Sequence, residues 1–550
     1  MAEYPLSDII RTFSLTMLSI LLLPLSLLTL SLGYASQYFF PQSTSPSPAH
    51  REDARDRRTI LVTGVGMAKG LTLARAFHLS GHRVIGADFE APGIPCSGRS
   101  SSSLSAFYRM PKPDHSSNSH SHSNSSNSST PYKANGAADA YVECLVDIVR
   151  TDGVDLWVSC SGVASAAEDA VAKEAIERRT RCRCVQFDLA TTMRLHEKDR
   201  FMAETARLGL PCPETHTVTS QKEILRILDD AASSSSSSSD PDSDKKEKRE
   251  KKKQREFILK PIGVDDANRG NMTLLPLPTR PETESYLSRL PAISAAQPWI
   301  AQQFIPGGAE YCTHALVVRG QVRCFVACPS AELLMHYRPL PADSALSRAM
   351  LGFTREFVAR SSSLDGGEGM TGHLSFDFMV EDEEITENGF KRSMYAIECN
   401  PRAHTAVVLF AQPGPEMRDM VRAYLSVLEP KGAANGSPVS RANDDDGNLV
   451  VPPPSDAQPR YWIGHDLVSL VVHPAYRVAT GRIAVQEFLS GLLVFFTHVL
   501  TWKEGTWETW DPWPAVALYH AYWPLSIVDA WWKGQRWSRV NVSTTKIFTC

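Results

Sequence analysis

The chain lacks several features that would each assign it to a functional class. Its eleven cysteines include no CxxC pair, and Cys182 and Cys184 are too close together to build a usual zinc site alone. An odd and dispersed set of cysteines favours a reducing compartment over a disulfide framework. The formal net charge is only −4 in 550 residues, which lacks the basic excess typical of nucleic-acid-binding proteins. We therefore expect no nucleic-acid partner.

Charged side chains are also missing from Thr12 to His50, and this segment is largely apolar as far as Tyr34. Roughly 20 helical residues cross the hydrocarbon core of a bilayer, so the segment is long enough to span it. Four arginines follow within residues 51–58, which places the remaining body on the cytoplasmic side. We expect residues 1–36 to form a membrane anchor that contacts lipid through residues 12–35, with a cytosolic catalytic body.

A cleaved secretory signal peptide is the alternative for this segment. Gly33-Tyr34-Ala35 weakly resembles a cleavage site. The apolar stretch is longer than a usual signal core, however, and Arg11 is the only base in its amino-terminal flank. These two features favour the anchor.

A βαβ unit follows the anchor. Thr59–Thr63 has the composition of a buried strand and runs into the glycine turn Gly64-Val-Gly66-Met-Ala-Lys-Gly70. An apolar-periodic helix over Leu71–Ser80 and a strand that ends at Asp88 complete the unit. The glycine spacing is GxGxxxG and not GxGxxG, which weakens the prediction of a dinucleotide site. We predict a structural Rossmann-like domain, and an NAD-linked enzyme is an alternative.

Two strands predicted further along the chain carry oxygen ligands. Side chains alternate between the faces of a strand, so Phe376-Asp377-Phe378 would bury its aromatic rings and turn the carboxylate outward. By the same rule Glu398 and Asn400 share one face, with Ile397 on the other. Two carboxylates and an amide oxygen suit Mg²⁺ that is bound jointly with substrate phosphates. An antiparallel pair whose polar face meets only solvent is the alternative.

Lysines and a strand–turn–acid segment accompany these ligands. Lys260 ends the predicted strand Phe257–Lys260 directly before a proline, where a lysine can reach a nucleotide phosphate. The predicted strand that contains Gln302 leads into a glycine turn and then Glu310. Exposed backbone of such a strand can contact adenine, with the acid near the ribose hydroxyls.

These motifs occur in the order typical of ATP-grasp enzymes, and the chain resembles that superfamily from about Thr59 to Leu428. The resemblance implies MgATP held between two α+β subdomains. It implies phosphate contacts from Lys198 and Lys260, adenine contacts from Gln302, Gln303, Phe304 and Ile305, ribose contacts from Glu310, and two magnesium ions, or manganese in their place, on Asp377, Glu398 and Asn400.

Three segments are further similar to the mycosporine-glycine synthases, the ATP-grasp ligases of mycosporine biosynthesis. They are Leu71–Arg83, Phe304–His314 and Ala396–His404. This resemblance implies condensation of glycine with 4-deoxygadusol through a phosphorylated intermediate, giving mycosporine-glycine, ADP and phosphate. Another ATP-grasp ligase that joins a carboxylate to an amine through an acyl phosphate is one alternative. A membrane-tethered nucleotide-binding scaffold without catalysis is another.

Further residues are candidates for catalysis beside Lys260. Arg402 follows the metal ligands and is suited to bind a substrate oxyanion or the phosphorylated intermediate. The loop after Lys260 has few glycines, and the guanidinium of Arg269 would replace backbone amides there. His314 and His404 are candidates to accept the amine proton, because the intrinsic pKa of histidine lies near neutrality.

The predicted fold class is thus α/β and α+β, with a Rossmann-like domain before a two-subdomain ATP-grasp fold. An N-terminal transmembrane helix precedes it, and a C-terminal extension that holds nine of the eleven tryptophans follows it. The predicted domains are an anchor at 1–36, a linker at 37–58, the Rossmann-like domain at 59–190 with a disordered insert at 114–135, the ATP-grasp domain at 191–430 with a disordered insert at 231–255, a linker at 431–459 and a helical extension at 460–550.

Overall fold

The structure is a computed structural model, and structural statements below refer to the residues that it describes. These residues are 6–39, 57–113, 136–162, 165–236, 255–262, 271–306, 308–330, 335–362, 369–381, 394–430 and 449–549. The predicted insert at 114–135, most of the insert at 231–255, and Arg269 lie outside them.

The helices and strands follow the predicted order. The helices are α1 Leu6–Phe39, α2 Ala68–Leu79, α3 Gly136–Asp152, α4 Ala166–Arg179, α5 Leu189–His196, α6 Lys198–Arg207, α7 Gln221–Ser236, α8 Arg280–Arg289, α9 Ala345–Ser362, α10 Pro415–Leu425, α11 Ile463–Asp466, α12 His473–Ala479, α13 Val485–Thr501, α14 Trp513–Ala517 and α15 Trp523–Trp532. The strands are β1 Thr59–Thr63, β2 Arg83–Phe89, β3 Ala106–Met110, β4 Leu156–Ser159, β5 Arg183–Val185, β6 Thr215–Val218, β7 Phe257–Pro261, β8 Trp299–Gln303, β9 Ala309–Val318, β10 Gln321–Pro329, β11 His336–Tyr337, β12 Gly372–Val380, β13 Met394–Asn400, β14 Arg460–Tyr461, β15 Lys503–Glu504, β16 Trp537–Asn541 and β17 Lys546–Thr549.

The first domain is a parallel sheet in the order β3-β2-β1-β4-β5. The central strand β1 is buried on both faces, as the apolar run Thr59–Thr63 predicts. Leu73 and Phe77 of α2 pack with one face of the sheet, whereas Tyr141 and Leu145 of α3 pack with the other. The predicted Rossmann-like domain is confirmed.

Two antiparallel sheets follow, and each is covered by helix on one face. The small sheet, β6-β8-β7, packs against α7 and α8 through Leu228 and Leu287. The large sheet, β10-β9-β12-β13, packs against Phe353 and Phe357 of α9. These sheets confirm the two predicted α+β subdomains. The second face of the large sheet is partly covered as well, because its Leu316 shares a buried core with Tyr424 of α10.

The C-terminal extension packs against the rest of the chain. Its strand β14 joins β11 and β15 in a sheet, and β16 pairs with β17, so the extension is not purely helical as predicted. Arg75 of α2 donates hydrogen bonds to the buried carboxylate and backbone of Asp511. The predicted linker also docks in part, because Val451 exchanges backbone hydrogen bonds with Arg323 and Phe325 beside β10. Tertiary contacts therefore order segments whose composition predicts a linker.

The helix α1 contains an apolar stretch, Ile10–Ala35, that is long enough by length and composition to cross a membrane. Side chains along this stretch contact the extension. Ser19 Oγ donates to Tyr519 O at 2.9 Å, and His520 Nε2 lies 2.8 Å from Ser26 Oγ. The Arg11 guanidinium lies 3.7 Å from the centre of the Trp537 ring.

Candidate active site

The predicted metal ligands meet on one face of the large sheet. Asp377 and Glu398 are direct partners in the antiparallel pair of β12 and β13. Asn400, two residues further along β13, donates from Nδ2 to Asp377 Oδ2 at 3.3 Å. Phe376 and Phe378 are fully buried on the opposite face, as the alternation predicts.

The pairing register departs from simple alternation next to these ligands. It shifts between Asp377 and Phe378, so that Ile397 has no partner in β12. Ala396 and Cys399 belong to the core on the α9 side, and Ile397 does not. Alternation predicts Ile397 on the face opposite Glu398, and at this bulge the core positions of β13 belong to Ala396 and Cys399.

Burial and neighbouring negative charge raise the pKa of Asp377 well above its ordinary value. Desolvation is the largest cause, followed by the charges of Glu398 and Glu310. The positive charges of Arg402 and Lys198 act in the opposite direction. Crowded carboxylates that repel each other become favourable when a divalent cation neutralises them. The donor set of carboxylate and amide oxygens fits Mg²⁺.

Lys260 and Gln302 share one face of the small sheet. In the register Lys260 pairs with Ile300 and Ile258 pairs with Gln302, and paired residues point to the same face. Phe257, Leu259 and the Leu259 partner Ala301 occupy the other face, against α7 and α8. Lys260 therefore lies on the face that the covering helices leave available.

The helix α6 connects this face with the metal ligands. Lys198 is its first residue. One turn later, the sulfur of Met202 lies 3.3 Å from Gln302 Nε2. Gln302 Nε2 also donates to Thr215 Oγ1 at 3.3 Å. The Gln302 side chain is thus buried and already hydrogen-bonded, so its contact with a base would come from the backbone.

The segment after Gln302 joins the two sheets, and its amides are only partly available. The N–H groups of Gln303 and Phe304 donate to Glu214 O and Glu256 O at 2.8 and 2.7 Å. These two groups cannot also donate to adenine, so only part of this backbone is available for the predicted adenine contact. Among the described residues, the N–H of Ile305 donates no backbone hydrogen bond within the protein, so it is the hinge amide that adenine can contact.

A cleft of about 650 Å³ adjoins this segment. Gln303 lines it from the small sheet, Tyr395 from the large sheet, and Asp199 and Met202 from α6. The exposed Glu310 begins the next strand, where its carboxylate accepts a hydrogen bond from Ser330 Oγ at 3.1 Å. The charge of Glu310 raises the pKa of Asp377, so Glu310 lies near the predicted metal ligands.

Lys69 is a buried cation close to Arg402, and the sequence pattern did not single it out. It lies in the glycine turn of the first domain, is buried, and donates to Ser161 O at 3.0 Å and to Ala403 O at 2.9 Å. Burial, and then the charge of Arg402, lower its pKa to about 7. The signal was a lysine inside an otherwise small and apolar turn, but only the fold brings it to the segment that carries Arg402.

The two histidines predicted to accept the amine proton have structural contacts. Burial lowers the pKa of both His314 and His404 to about 3. His404 Nδ1 accepts from Ala406 N–H at 3.2 Å, and His314 Nδ1 accepts from His404 N–H at 3.3 Å. Groups with so low a pKa are poorly matched to proton acceptance near neutral pH, so the structure argues against both predictions.

The glycine turn itself is covered by the chain's own residues. The Asp88 carboxylate accepts from Gly66 N–H at 2.6 Å, and a Cβ at Gly98 would lie 2.1 Å from Val65 O. Ala68 N–H, at the start of α2, donates to Ser543 O of the extension at 3.0 Å. A dinucleotide pyrophosphate would need this same helix start. The NAD alternative is therefore disfavoured.

No protein-family model matches the chain, and no curated protein matches it either. Among solved structures it is similar to N5-carboxyaminoimidazole synthetase from Staphylococcus aureus complexed with ADP, at 11% identity over 64% of this chain and 73% of that one, with a TM-score of 0.41. An L-amino acid ligase from Bacillus licheniformis aligns at 12% identity over 69% and 75%, with a TM-score of 0.41. The biotin carboxylase domain of Hydrogenobacter thermophilus 2-oxoglutarate carboxylase aligns at 12% over 71% and 72%, with a TM-score of 0.43. Because these values are low, we base the function on this chain's own strands and side chains.

Proposed function

We propose that this chain is an ATP-dependent ligase of the ATP-grasp type, which forms a carbon–nitrogen bond and converts ATP to ADP and phosphate. The observation that carries the proposal is the convergence of Asp377, Glu398 and Asn400 on one face of the large sheet. Lys260, on the available face of the small sheet, and Lys198, at the start of α6, supply positive charge.

Each part has a defined task in phosphoryl transfer. Asp377, Glu398 and Asn400 would hold magnesium, which neutralises charge on the phosphoryl group in transfer. Lys198 and Lys260 would bind phosphate oxygens and stabilise the charge that spreads over them, by preorganised electrostatics with little covalent participation. The hinge at Ile305 would contact adenine, and Glu310 the ribose.

The substrates that we propose are glycine and 4-deoxygadusol. Hydroxide is a poor leaving group, so a ring oxygen of deoxygadusol first takes the γ-phosphoryl group and ADP departs. The glycine amine then attacks the same carbon, the C–N bond forms, the C–O bond breaks, and phosphate leaves with the bonding electrons as the amine loses a proton. Arg402 would bind the substrate oxyanion or the phosphorylated intermediate. The three sequence segments named above support this choice of substrates.

The test is ADP release by the full-length protein in detergent with MgATP, 4-deoxygadusol and glycine, compared with no amine and with other amino acids. An ultraviolet-absorbing product that requires both glycine and ATP would support the whole proposal. ADP release with another acid–amine pair, and none with deoxygadusol, would keep the ligase and discard the substrates. No ATP turnover with any pair would contradict the ligase itself.

We further propose that residues 1–36 stay attached and anchor a cytosolic body. The hydrogen bonds from α1 to Tyr519 and His520 support this, because they give the helix a folded partner in the mature chain. Polar side chains commonly join apolar helices in this way. Intact-mass analysis of protein extracted from membranes tests it. A mass that includes residues 1–36 is expected, whereas cleavage after Ala35 would establish a signal peptide.

A further inference from the structure

A second group of ligand-type side chains lies away from the candidate active site. His336 Nε2 is 2.8 Å from Asp466 Oδ1, and His498 Nδ1 is 2.6 Å from Asp466 Oδ2. The ligand atoms of all three residues lie within 4.8 Å of one another. The Asp466 side chain is fully buried, and the side chains of His336 and His498 are 21% and 13% exposed.

We propose that His336, Asp466 and His498 form a binding site for a divalent transition-metal ion of the Zn²⁺ class. Two imidazoles and one carboxylate are a donor set that such ions favour, whereas Mg²⁺ prefers oxygen ligands alone. The partial exposure of both histidines leaves room for water or another small ligand to complete the coordination. This site is independent of the proposed ligase reaction.

The spacing of the ligand atoms is compatible with an ion after a small expansion. In a tetrahedral zinc site, bonds of about 2.0–2.1 Å separate neighbouring ligand atoms by about 3.3 Å. The two observed separations, 2.8 and 2.6 Å, are those of hydrogen bonds without a metal. They would widen by about 0.5 and 0.7 Å on binding. Side-chain rotation can supply this change because the histidines lie on different elements.

The three residues join separate parts of the chain. His336 lies on β11 of the ligase body, Asp466 ends α11, and His498 lies in the last turn of α13. A bound ion would therefore fasten the extension to the body. It would also act close to the candidate active site, since Tyr337, next to His336, packs edge-on against both His404 and Trp462.

Aromatic rings surround the cluster and limit the motion of its histidines. The Trp502 ring lies 4.4 Å from the His498 ring and 5.6 Å from the His336 ring, measured between centroids. Histidine rings whose rotation is already restricted by their neighbours lose little conformational entropy when they bind an ion, which favours binding. The competing possibility is a hydrogen-bonded His–Asp–His group that binds no metal.

Cobalt provides the direct test, because Co²⁺ replaces Zn²⁺ and absorbs visible light. The full-length protein in detergent is stripped with a chelator and then titrated with Co²⁺ in excess Mg²⁺, which occupies the oxygen site at Asp377. We expect one equivalent of Co²⁺ per chain with d–d absorption and no sulfur-to-cobalt band. That band would reveal binding by cysteines in place of the triad, and would overturn the proposal.

Variants separate the site from the rest of the protein. His336→Gln and Asp466→Asn should each weaken Co²⁺ and Zn²⁺ binding by at least about tenfold, because loss of even an outer-shell partner typically costs 10–100-fold. The exposed His473→Gln is the matched control, and Asp377→Asn should also keep the Co²⁺ signal. Circular dichroism checks folding, and His336→Gln remains informative if the buried Asp466 variant unfolds. Absence of Co²⁺ and Zn²⁺ binding, or equal binding in folded triad variants, would overturn the proposal.

Discussion

Asp377 and Glu398 face each other across neighbouring strands of the large sheet, and the charge of Glu398 helps to raise the pKa of Asp377. Two carboxylates in such contact are unfavourable in a protein without a counter-ion. This arrangement, with Asn400 hydrogen-bonded to the same Asp377 carboxylate, supports the proposed cation site.

Replacing Asp377 with Asn should abolish ATP turnover, because one proposed metal ligand is lost. The protein should stay folded, because the substitution also removes the repulsion between the charges of Asp377 and Glu398. We expect no loss of thermal stability, since the substitution removes a buried charge. ADP release and thermal unfolding measure the two effects. Asp456→Asn is the control: Asp456 is exposed and accepts a hydrogen bond from Gln412, so this variant should leave turnover unchanged. Turnover retained in Asp377→Asn would exclude the metal assignment.

Replacing Lys260 with Met should lower kcat/KM for ATP on the order of 10²-fold or more, as loss of one preorganised charge donor does at comparable sites. Met keeps the length of the side chain and its packing beside Ile300. Lys222→Met is the matched control, because Lys222 is exposed and lies on α7, which covers the opposite face of the small sheet. Similar kinetics for the two variants would show that Lys260 does not bind phosphate.

The buried Lys69 should make stability depend on pH. Its pKa is about 7 in the fold and 10.5 in the unfolded chain, so between these values the unfolded chain binds a proton that the folded chain does not. The free energy of unfolding therefore rises with pH across this window, by at most about 1.4 kcal/mol per pH unit from this group. Below pH 7 and above pH 10.5 the contribution is flat.

Guanidinium unfolding at several pH values compares wild type with Lys69→Met, which should lack this part of the slope. Burial raises the pKa values of Asp88 and Asp169 from 3.8 to about 6. Between pH 3.8 and 6 these two groups therefore lower the free energy of unfolding as pH rises. The two windows do not overlap. Lys222→Met should keep the full wild-type slope, and an unchanged slope in Lys69→Met would contradict the assignment.

The buried ion pair of Arg75 and Asp511 should hold the extension to the first domain. Asp511→Asn should lower the free energy of unfolding by about 3–5 kcal/mol, because it leaves the buried guanidinium without its counter-charge. Chemical unfolding measures this, and the exposed pair of Asp229 and Arg280 serves as the comparison. Asp229→Asn should cost no more than about 1 kcal/mol. Equal effects of the two substitutions would mean that the extension does not depend on the buried pair.

The sequence predicted the elements and the order of the chemistry, because both depend on local patterns. Apolar runs and glycine turns placed β1, α2 and β7 within a few residues of their observed bounds. Alternation placed Asp377 on the face opposite Phe376 and Phe378. Where the local pattern was ambiguous the prediction was incomplete. The disordered insert was predicted to begin at residue 231, whereas α7 continues through serines to Ser236.

The amino-acid sequence by itself determined the class of the sheets, the apolar helix at the start and the set of metal-type oxygen ligands, since alternation, hydrophobic length and residue chemistry are local properties. Only the tertiary structure brought Lys69 to Ala403, Arg75 to Asp511, and His336 to Asp466 and His498. These partners are separated by up to 436 residues in the sequence. No local periodicity encodes such pairs, because packing of the extension against the first domain and the large sheet decides which buried polar groups satisfy one another.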